Sequence, residues 1–196
     1  MKRGVYKISF INIEKIKRMV GKLKKEFKSG KPYEHIIIEN FFKSETAENL
    51  LRAFPSVQQM QSSSAFSGVA EKKNQLSDIK KFPLVIRQAF KEMMSPPFLN
   101  IMTEITGLKP LYSDRSLVGG GLHQGVSGSF LDIHADFNKL NALGKYRRLN
   151  ILVYMNKNWK DSYHGHLEMW DKQMKKCVKK VAPEFNRCLI FATDKY

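Results

Sequence analysis

The sequence has few cysteines, no long apolar run and only 18 acidic residues against 34 basic ones. Its two cysteines, Cys177 and Cys188, exclude a disulfide framework and a cysteine-rich zinc site, and we expect both to be small core or surface residues. No stretch approaches the roughly 18 consecutive apolar residues that span a bilayer, and the first ten residues contain no apolar run of signal-peptide length. We therefore expect a cytoplasmic protein without a membrane span.

The net charge of +16 allows two interpretations. A positive field of this size raises the association rate with anionic partners, such as nucleic acid or an acidic protein. Alternatively, the lysines of 15–31 and 172–180 only occupy solvated faces, since no recognised nucleic-acid-binding motif accompanies them. The length of 196 residues and the hydrophobic fraction of 42% predict one globular domain.

The first half of the chain predicts mainly helices. Apolar residues recur at steps of three and four from Ile13 to Phe27, which indicates an amphipathic helix with a lysine-rich outer face, packed on the domain rather than on a membrane. The following elements are predicted from β-branched runs, caps and prolines: a strand at 33–38, a helix capped by Ser44 that stops near Pro55, a long polar loop at 56–80 with partial order as the alternative, and helices from Pro83 to Met94 and from Phe98 to Gly107.

From Leu117 onward the pattern changes to strands joined by short turns. The predicted strands are 151–154, 188–191 and a hairpin formed by 166–170 and 175–181. Helices first and strands later predict an α+β domain. Residues 1–110 would form a helical support region with one early strand, and 111–196 the β-rich core.

The segment His134-Ala135-Asp136 carries the strongest chemical signal. It follows a β-rich run, and on an extended strand residues i and i+2 point to the same side. A neutral imidazole and a carboxylate that converge in this way supply two ligands of the facial triad that holds Fe(II) with open positions. The tripeptide alone is weak evidence, because a structural His–Asp pair has the same spacing.

The blocks around this motif add specificity. They run, in order, Gly119 to Gln124, Arg147 to Asn156 with Trp159 close behind, Gly165 to Asp171, and Pro183 to Phe191. This order resembles the 2-oxoglutarate and Fe(II)-dependent oxygenases of the prolyl 4-hydroxylase-like superfamily, most strongly over residues 110–196. The resemblance implies N-terminal helices packed on a double-stranded β-helix, a relative of the jelly roll.

The resemblance also implies an activity. His134 and Asp136 would bind Fe(2+), and 2-oxoglutarate would be oxidised to succinate and CO2 while a prolyl or other residue of a peptide or protein is hydroxylated. L-ascorbate dependence, common among relatives, would follow. The alternative from another class is a non-catalytic basic protein that contacts nucleic acid or an acidic protein.

Four residues are implied around the cosubstrate. His123 stands where relatives often have a Tyr that faces 2-oxoglutarate, although a strand-end His bonded to backbone is an equal alternative. Leu167 matches a position that lines the pocket, or is simply a core leucine. Asn150 and Tyr154 fall on the strand opposite, where either reaches the pocket, and which one points inward stays open.

The chain departs from the family pattern at its end. Relatives carry a second iron-binding His a few residues after the strand that matches Cys188 to Thr193, and then a basic residue for the distal carboxylate of 2-oxoglutarate. Because the sequence stops at Tyr196, we expect an oxygenase truncated at the C-terminus, whose jelly roll lacks its last strand and whose own activity is open. An unpaired edge also predicts aggregation or the need for a partner.

Two further patterns suggest sites that we do not favour. His164 and His166 place two imidazoles on one side of a strand, but Leu167 would face the pocket and His166 would then face away. Gly119-Gly120-Gly121 leads into an extended segment rather than into a helix N-terminus, so it predicts a tight backbone bend and not a phosphate cradle.

Overall fold

The computed structural model describes residues 9–61, 65–67, 71–140 and 144–193. The helices are α1 (Ile13–Ser29), α2 (Ser44–Arg52), α3 (Val57–Gln61), α4 (Leu84–Met93) and α5 (Pro96–Thr106). The strands are β1 (His35–Ile38), β2 (Ala65–Ser67), β3 (Glu71–Leu76), β4 (Leu122–Gln124), β5 (Phe130–Leu131), β6 (Lys139–Leu140), β7 (Lys145–Tyr146), β8 (Leu149–Tyr154), β9 (Leu167–Trp170), β10 (Cys177–Val181) and β11 (Arg187–Ala192). Helices and antiparallel sheets agree with the predicted α+β class, whereas the jelly roll stays a prediction.

The helical layer forms as its apolar spacing predicts. Ile16, Leu23 and Phe27 of α1 are fully buried, and the helix packs against α5 and β1. The α5 helix ends at Gly107, whose φ of 75° is the left-handed conformation that glycine adopts without a steric cost. The predicted helices at 13–27, 83–94 and 98–107 are therefore confirmed.

The central sheet is antiparallel and has the strand order β1-β11-β8. Its register places His35 of β1 opposite Phe191 of β11, and Phe191 opposite Asn150 of β8. Alternate residues of each strand face opposite sides. Ile36 and Ile190 join the main hydrophobic core with the helices, while Leu189, Phe191, Leu152 and Tyr154 form a second cluster on the other side.

The hairpin of β9 and β10 covers that second side. Its antiparallel register pairs Leu167 with Val181 and Glu168 with Lys180, which confirms the predicted hairpin. Met169 and Val181 are buried against the side chains of β8 and β11. The central sheet thus lies between the helical layer and this hairpin.

A further sheet corrects the prediction for residues 56–80. Instead of a long loop, this segment contains α3, β2 and β3, and its residues 62–64 and 68–70 lie outside the described part. Strand β3 pairs with β2 and also with both β4 and β5. The region before residue 110 therefore holds three described strands rather than the one expected, and β3 joins the sheet of the second region. The division at residue 110 and the single domain stay predictions.

Two smaller points concern local geometry. Lys43 occupies the N-cap position of α2 and makes no side-chain capping hydrogen bond, and Ser44 is the first residue of the helix. The predicted N-cap was therefore wrong by one position. Gly121, at the start of β4, has a φ of 116°, and a Cβ there would lie 2.3 Å from the Leu76 carbonyl oxygen. The predicted tight bend at the triglycine is therefore confirmed.

Among the helices in the described ranges, none combines the length and the apolar composition of a membrane span.

Asn186 joins the turn before β11 to the helical region. Its side-chain amide donates to the Phe42 carbonyl oxygen at 2.9 Å and accepts from the Phe42 backbone N–H at 2.8 Å. Its own backbone N–H donates to the Tyr154 carbonyl oxygen, and its φ is 61°. This residue is 2% exposed, so its polar contacts are shielded from water.

Candidate metal and cosubstrate site

His134 lies just beyond a short strand. Strand β5 ends at Leu131, so the strand predicted through Asp136 is shorter than expected and the motif occupies an irregular segment. The His134 Nδ1 lies 2.7 Å from the Asp132 carbonyl oxygen. Because a carbonyl only accepts, the proton of the neutral ring is on Nδ1, and Nε2 carries the lone pair that a metal ligand needs.

Asp136 faces this lone pair. Its Oδ1 lies 3.5 Å from His134 Nε2, and its side chain is 23% exposed while that of His134 is 49% exposed. Its other oxygen, Oδ2, accepts a hydrogen bond from the Asn150 side-chain amide at 2.5 Å. The structure therefore brings together three of the predicted residues, from the segment after β5 and from β8.

Arg147 completes this group, and sequence reasoning assigned it no role. Its Nη1 lies 3.9 Å from Asp136 Oδ1, and its Nε and Nη2 donate to Asn150 Oδ1. Its guanidinium lies 4.7 Å from the Phe137 ring centroid. The available signal was an arginine three residues before Asn150, just before the half-buried strand β8.

Tyr154 and Leu167 lie together, farther along the sheet. Both belong to the second hydrophobic cluster, between β8 and the β9–β10 hairpin. Asn150 and Tyr154 are on the same side of β8 by strand alternation, and four residues separate them by about 13 Å. Burial raises the pKa of the Tyr154 hydroxyl far above its ordinary value, and the Arg187 guanidinium only partly opposes this, so the phenol stays a neutral donor. The two side chains thus lie on the same side of β8, and a contact of either with the cosubstrate stays a prediction.

His123 lies on the other sheet. It is exposed on β4, where its Cα partner is Gln75 of β3. Its predicted contact with the cosubstrate stays a prediction, as does the role of Leu167 in lining the pocket.

The chemistry of the donor set fits two ligands of one metal ion. Two atoms about 2.1 Å from one ion lie about 3 Å apart at a right angle, and 3.5 Å corresponds to an angle of about 110°. The imidazole nitrogen and carboxylate oxygen are the types that the facial triad uses. Across the described ranges, however, no group of three His, Cys, Asp or Glu side chains surrounds a common point.

The competing histidines have another role. His166 Nε2 lies 2.9 Å from Asp161 Oδ1, and its ring packs edge-on against Trp159 with centroids 4.7 Å apart. The Trp159 indole N–H donates to the His164 carbonyl oxygen. These contacts hold the loop between β8 and β9 together, and the expectation that neither histidine is a ligand stays a prediction.

Comparison with known families supports a chemical class for the C-terminal segment of the chain. Residues 120–196 match the family model described as the 2OG-Fe(II) oxygenase superfamily. This segment is similar to 2OG-Fe(II) oxygenases. The match starts before β4 and includes the His134–Asp136 pair, Arg147 and the strands of the second cluster, but it covers less than half of the chain. No curated protein matches the chain.

The oxygenase match has direct chemical consequences. It supports an oxidoreductase of the dioxygenase type, with Fe(2+) as metal and 2-oxoglutarate as cosubstrate. The assignment of His134 and Asp136, whose Nε2 and Oδ1 atoms lie 3.5 Å apart, as the ligands of this metal stays a prediction. The narrower prolyl 4-hydroxylase-like assignment and the C-terminal truncation stay predictions.

Proposed function

We propose that this chain carries the catalytic core of a 2-oxoglutarate- and Fe(II)-dependent dioxygenase that hydroxylates a prolyl or other residue of a peptide or protein. The observation that carries the proposal is the 3.5 Å approach of His134 Nε2 to Asp136 Oδ1 inside the segment that matches the oxygenase family. A His and an Asp two residues apart need not bring these atoms together, and the family match by itself does not require it either.

The side chains divide the work as follows. His134 and Asp136 would hold the iron, which supplies the oxidation of a C–H bond when 2-oxoglutarate and O2 are present. Tyr154 offers a neutral hydroxyl from the apolar cluster, suited to donate a hydrogen bond to a cosubstrate carboxylate. Leu167 packs in the same cluster and would keep water from that end of the site.

An open site supports a peptide or protein substrate. The His134 side chain is about half exposed, and Ile133 and Phe137 beside it are exposed apolar side chains. A polypeptide can approach such a surface without entering an enclosed cavity, and apolar contacts would hold it there.

Turnover of 2-oxoglutarate tests the proposal. The chain is incubated with Fe(II), 2-oxoglutarate and O2, and succinate is measured with and without a library of proline-containing peptides. We expect succinate formation, and a peptide product that has gained one oxygen atom. His134→Ala and Asp136→Ala should each abolish turnover, while Asp161→Asn, at a highly exposed carboxylate in the β8–β9 loop, should not change it.

Two results would contradict the proposal. Turnover that survives both ligand substitutions would remove the assigned metal site. Absence of metal binding and of succinate with the unaltered chain would remove the oxygenase activity. We also propose an L-ascorbate requirement, a cytoplasmic location and an anionic partner for the +16 charge. Each of these needs a measurement of its own.

A further inference from the structure

Hydrogen bonds connect Arg147, Asn150 and the proposed ligand Asp136 in series. Arg147 donates two hydrogen bonds, from Nε at 3.0 Å and from Nη2 at 2.5 Å, to the same atom, Asn150 Oδ1. The oxygen of a side-chain amide only accepts and its nitrogen only donates. The arginine therefore determines the orientation of the Asn150 amide, whose Nδ2 must point the other way, toward Asp136 Oδ2.

This orientation affects the carboxylate. With Oδ2 engaged by Asn150, Oδ1 is the oxygen that faces His134 Nε2 at 3.5 Å. Resting on the proposed function, we infer that Arg147 and Asn150 are positioning residues that make Asp136 bind the metal through Oδ1 alone. A carboxylate held in this way uses one coordination position rather than two, which leaves the others for cosubstrate and O2.

Arg147 is itself held in place. Its guanidinium stacks on the Phe137 ring, and its side chain is mostly buried. Gly119 makes room for this stack, since a Cβ at that position would lie 3.0 Å from Phe137 Cε1. The arginine thus pays little conformational entropy when it orients Asn150.

The charge of Arg147 acts in the opposite direction. A guanidinium nitrogen 3.9 Å from Asp136 Oδ1 repels a metal cation bound there. If this repulsion dominated, removing the charge of Arg147 would tighten metal binding. If orientation of the Asn150 amide dominates, loss of the two hydrogen bonds from Arg147 would weaken metal binding even in a variant that keeps the positive charge. The two effects can therefore be separated by substitution.

Metal affinity of the chain in the absence of 2-oxoglutarate measures this directly, with Co(II) titrated by calorimetry and by its visible absorption. Loss of a hydrogen bond to a metal ligand typically costs ten- to a hundredfold in affinity. We expect a loss in this range for Asn150→Ala. Arg147→Lys, which keeps the charge but not the paired donors, should weaken binding as well, and Arg147→Gln should not tighten it. Asn156→Ala is the matched control, because Asn156 donates to the Pro183 carbonyl oxygen just beyond the far end of β8.

The double variant decides whether the residues act in series. If Arg147 acts through Asn150, Arg147→Lys should have no further effect in the Asn150→Ala background. Additive losses, unchanged affinity in Asn150→Ala, or tighter binding in Arg147→Gln would overturn the inference. The apo-protein melting temperatures are compared in parallel, since a purely structural role would lower them without a selective loss of metal affinity.

A metal-free measurement separates this inference from the proposed function. In nuclear magnetic resonance spectra, the side-chain amide protons of Asn150 should move upfield in each of two single variants, Asp136→Ala and Arg147→Lys, because each variant removes a hydrogen-bond partner of this amide. If these shifts occur but the unaltered chain binds no metal, the proposed function fails while the positioning geometry stands. If Co(II) binds and is lost in His134→Ala but not in Asn150→Ala, the function stands and the inference fails.

Discussion

Replacement of Asn186 tests how the turn before β11 is tied to the helical region. Asn186→Ala leaves the N–H and the carbonyl group of Phe42 without partners, in a place that water does not reach. Each orphaned buried group costs about 1–3 kcal/mol, and a non-glycine residue without a polar side chain at a φ of 61° costs about 1–2 kcal/mol. We expect a loss of at least about 3 kcal/mol of unfolding free energy, a large fraction of the stability of about 5–15 kcal/mol that is typical of a domain.

Two companion variants separate these contributions. Asn186→Gly loses the same hydrogen bonds but accepts the left-handed backbone, so it should be about 1–2 kcal/mol more stable than Asn186→Ala. Asn186→Asp keeps the acceptor for the Phe42 N–H but loses the donor and buries a charge, so it should also be destabilised. Urea unfolding, followed by circular dichroism and tryptophan fluorescence, gives the free energies. This reasoning would be refuted if Asn186→Ala lost less than about 1 kcal/mol of unfolding free energy, or if Asn186→Gly were less stable than Asn186→Ala.

Two further predictions concern pH and backbone geometry. Burial lowers the pKa of His35 below its ordinary 6.5, Lys179 contributes in the same direction, and the hydrogen bond to the Tyr33 carbonyl opposes. The unfolded chain therefore binds more protons below pH 6.5, and stability should fall as the pH drops through this value. A smaller loss of melting temperature from pH 7.5 to 5.5 is expected in His35→Gln, and equal losses in both proteins would argue against this. Gly121→Ala should destabilise by more than about 1 kcal/mol, because a positive φ and the Leu76 carbonyl oxygen oppose a Cβ. Gly21→Ala, with open space in α1, should instead stabilise by about 0.5–1 kcal/mol, and chemical unfolding that ranks the two the other way would contradict the argument.

Much of the secondary structure was predictable because its signals are local. The apolar repeat of α1, Pro83 before α4, Pro96 at the start of α5 and the apolar runs of β8 and β11 are signals that depend on neighbouring residues alone. Segment 56–80 was mispredicted because β3 has little apolar alternation of its own. That strand is stabilised by pairing with β4 and β5, about 50 to 60 residues away in the sequence.

The candidate site was predictable in part. The spacing of His134 and Asp136 predicted that their side chains converge, and they do, although the strand ends before them. The contribution of Asn150 depended on the resemblance, and its contact with Asp136 is a tertiary one. Arg147 could not be assigned from spacing, because its role depends on contacts with both Asn150 and Phe137 that only the folded chain makes.

The amino-acid sequence by itself determined helices α1, α2, α4 and α5, strands β8 and β11, the bend at the triglycine and a His–Asp pair typical of an iron site, since each has a signal within a few residues of the sequence. Only the tertiary structure decided that β8 brings Asn150 beside Asp136, that Arg147 orients this amide, and that Asn186 joins two distant segments. The physical reason is that a hydrogen bond between residues far apart in the chain leaves no periodic trace in the sequence. It becomes visible only when the sheet register brings the partners together.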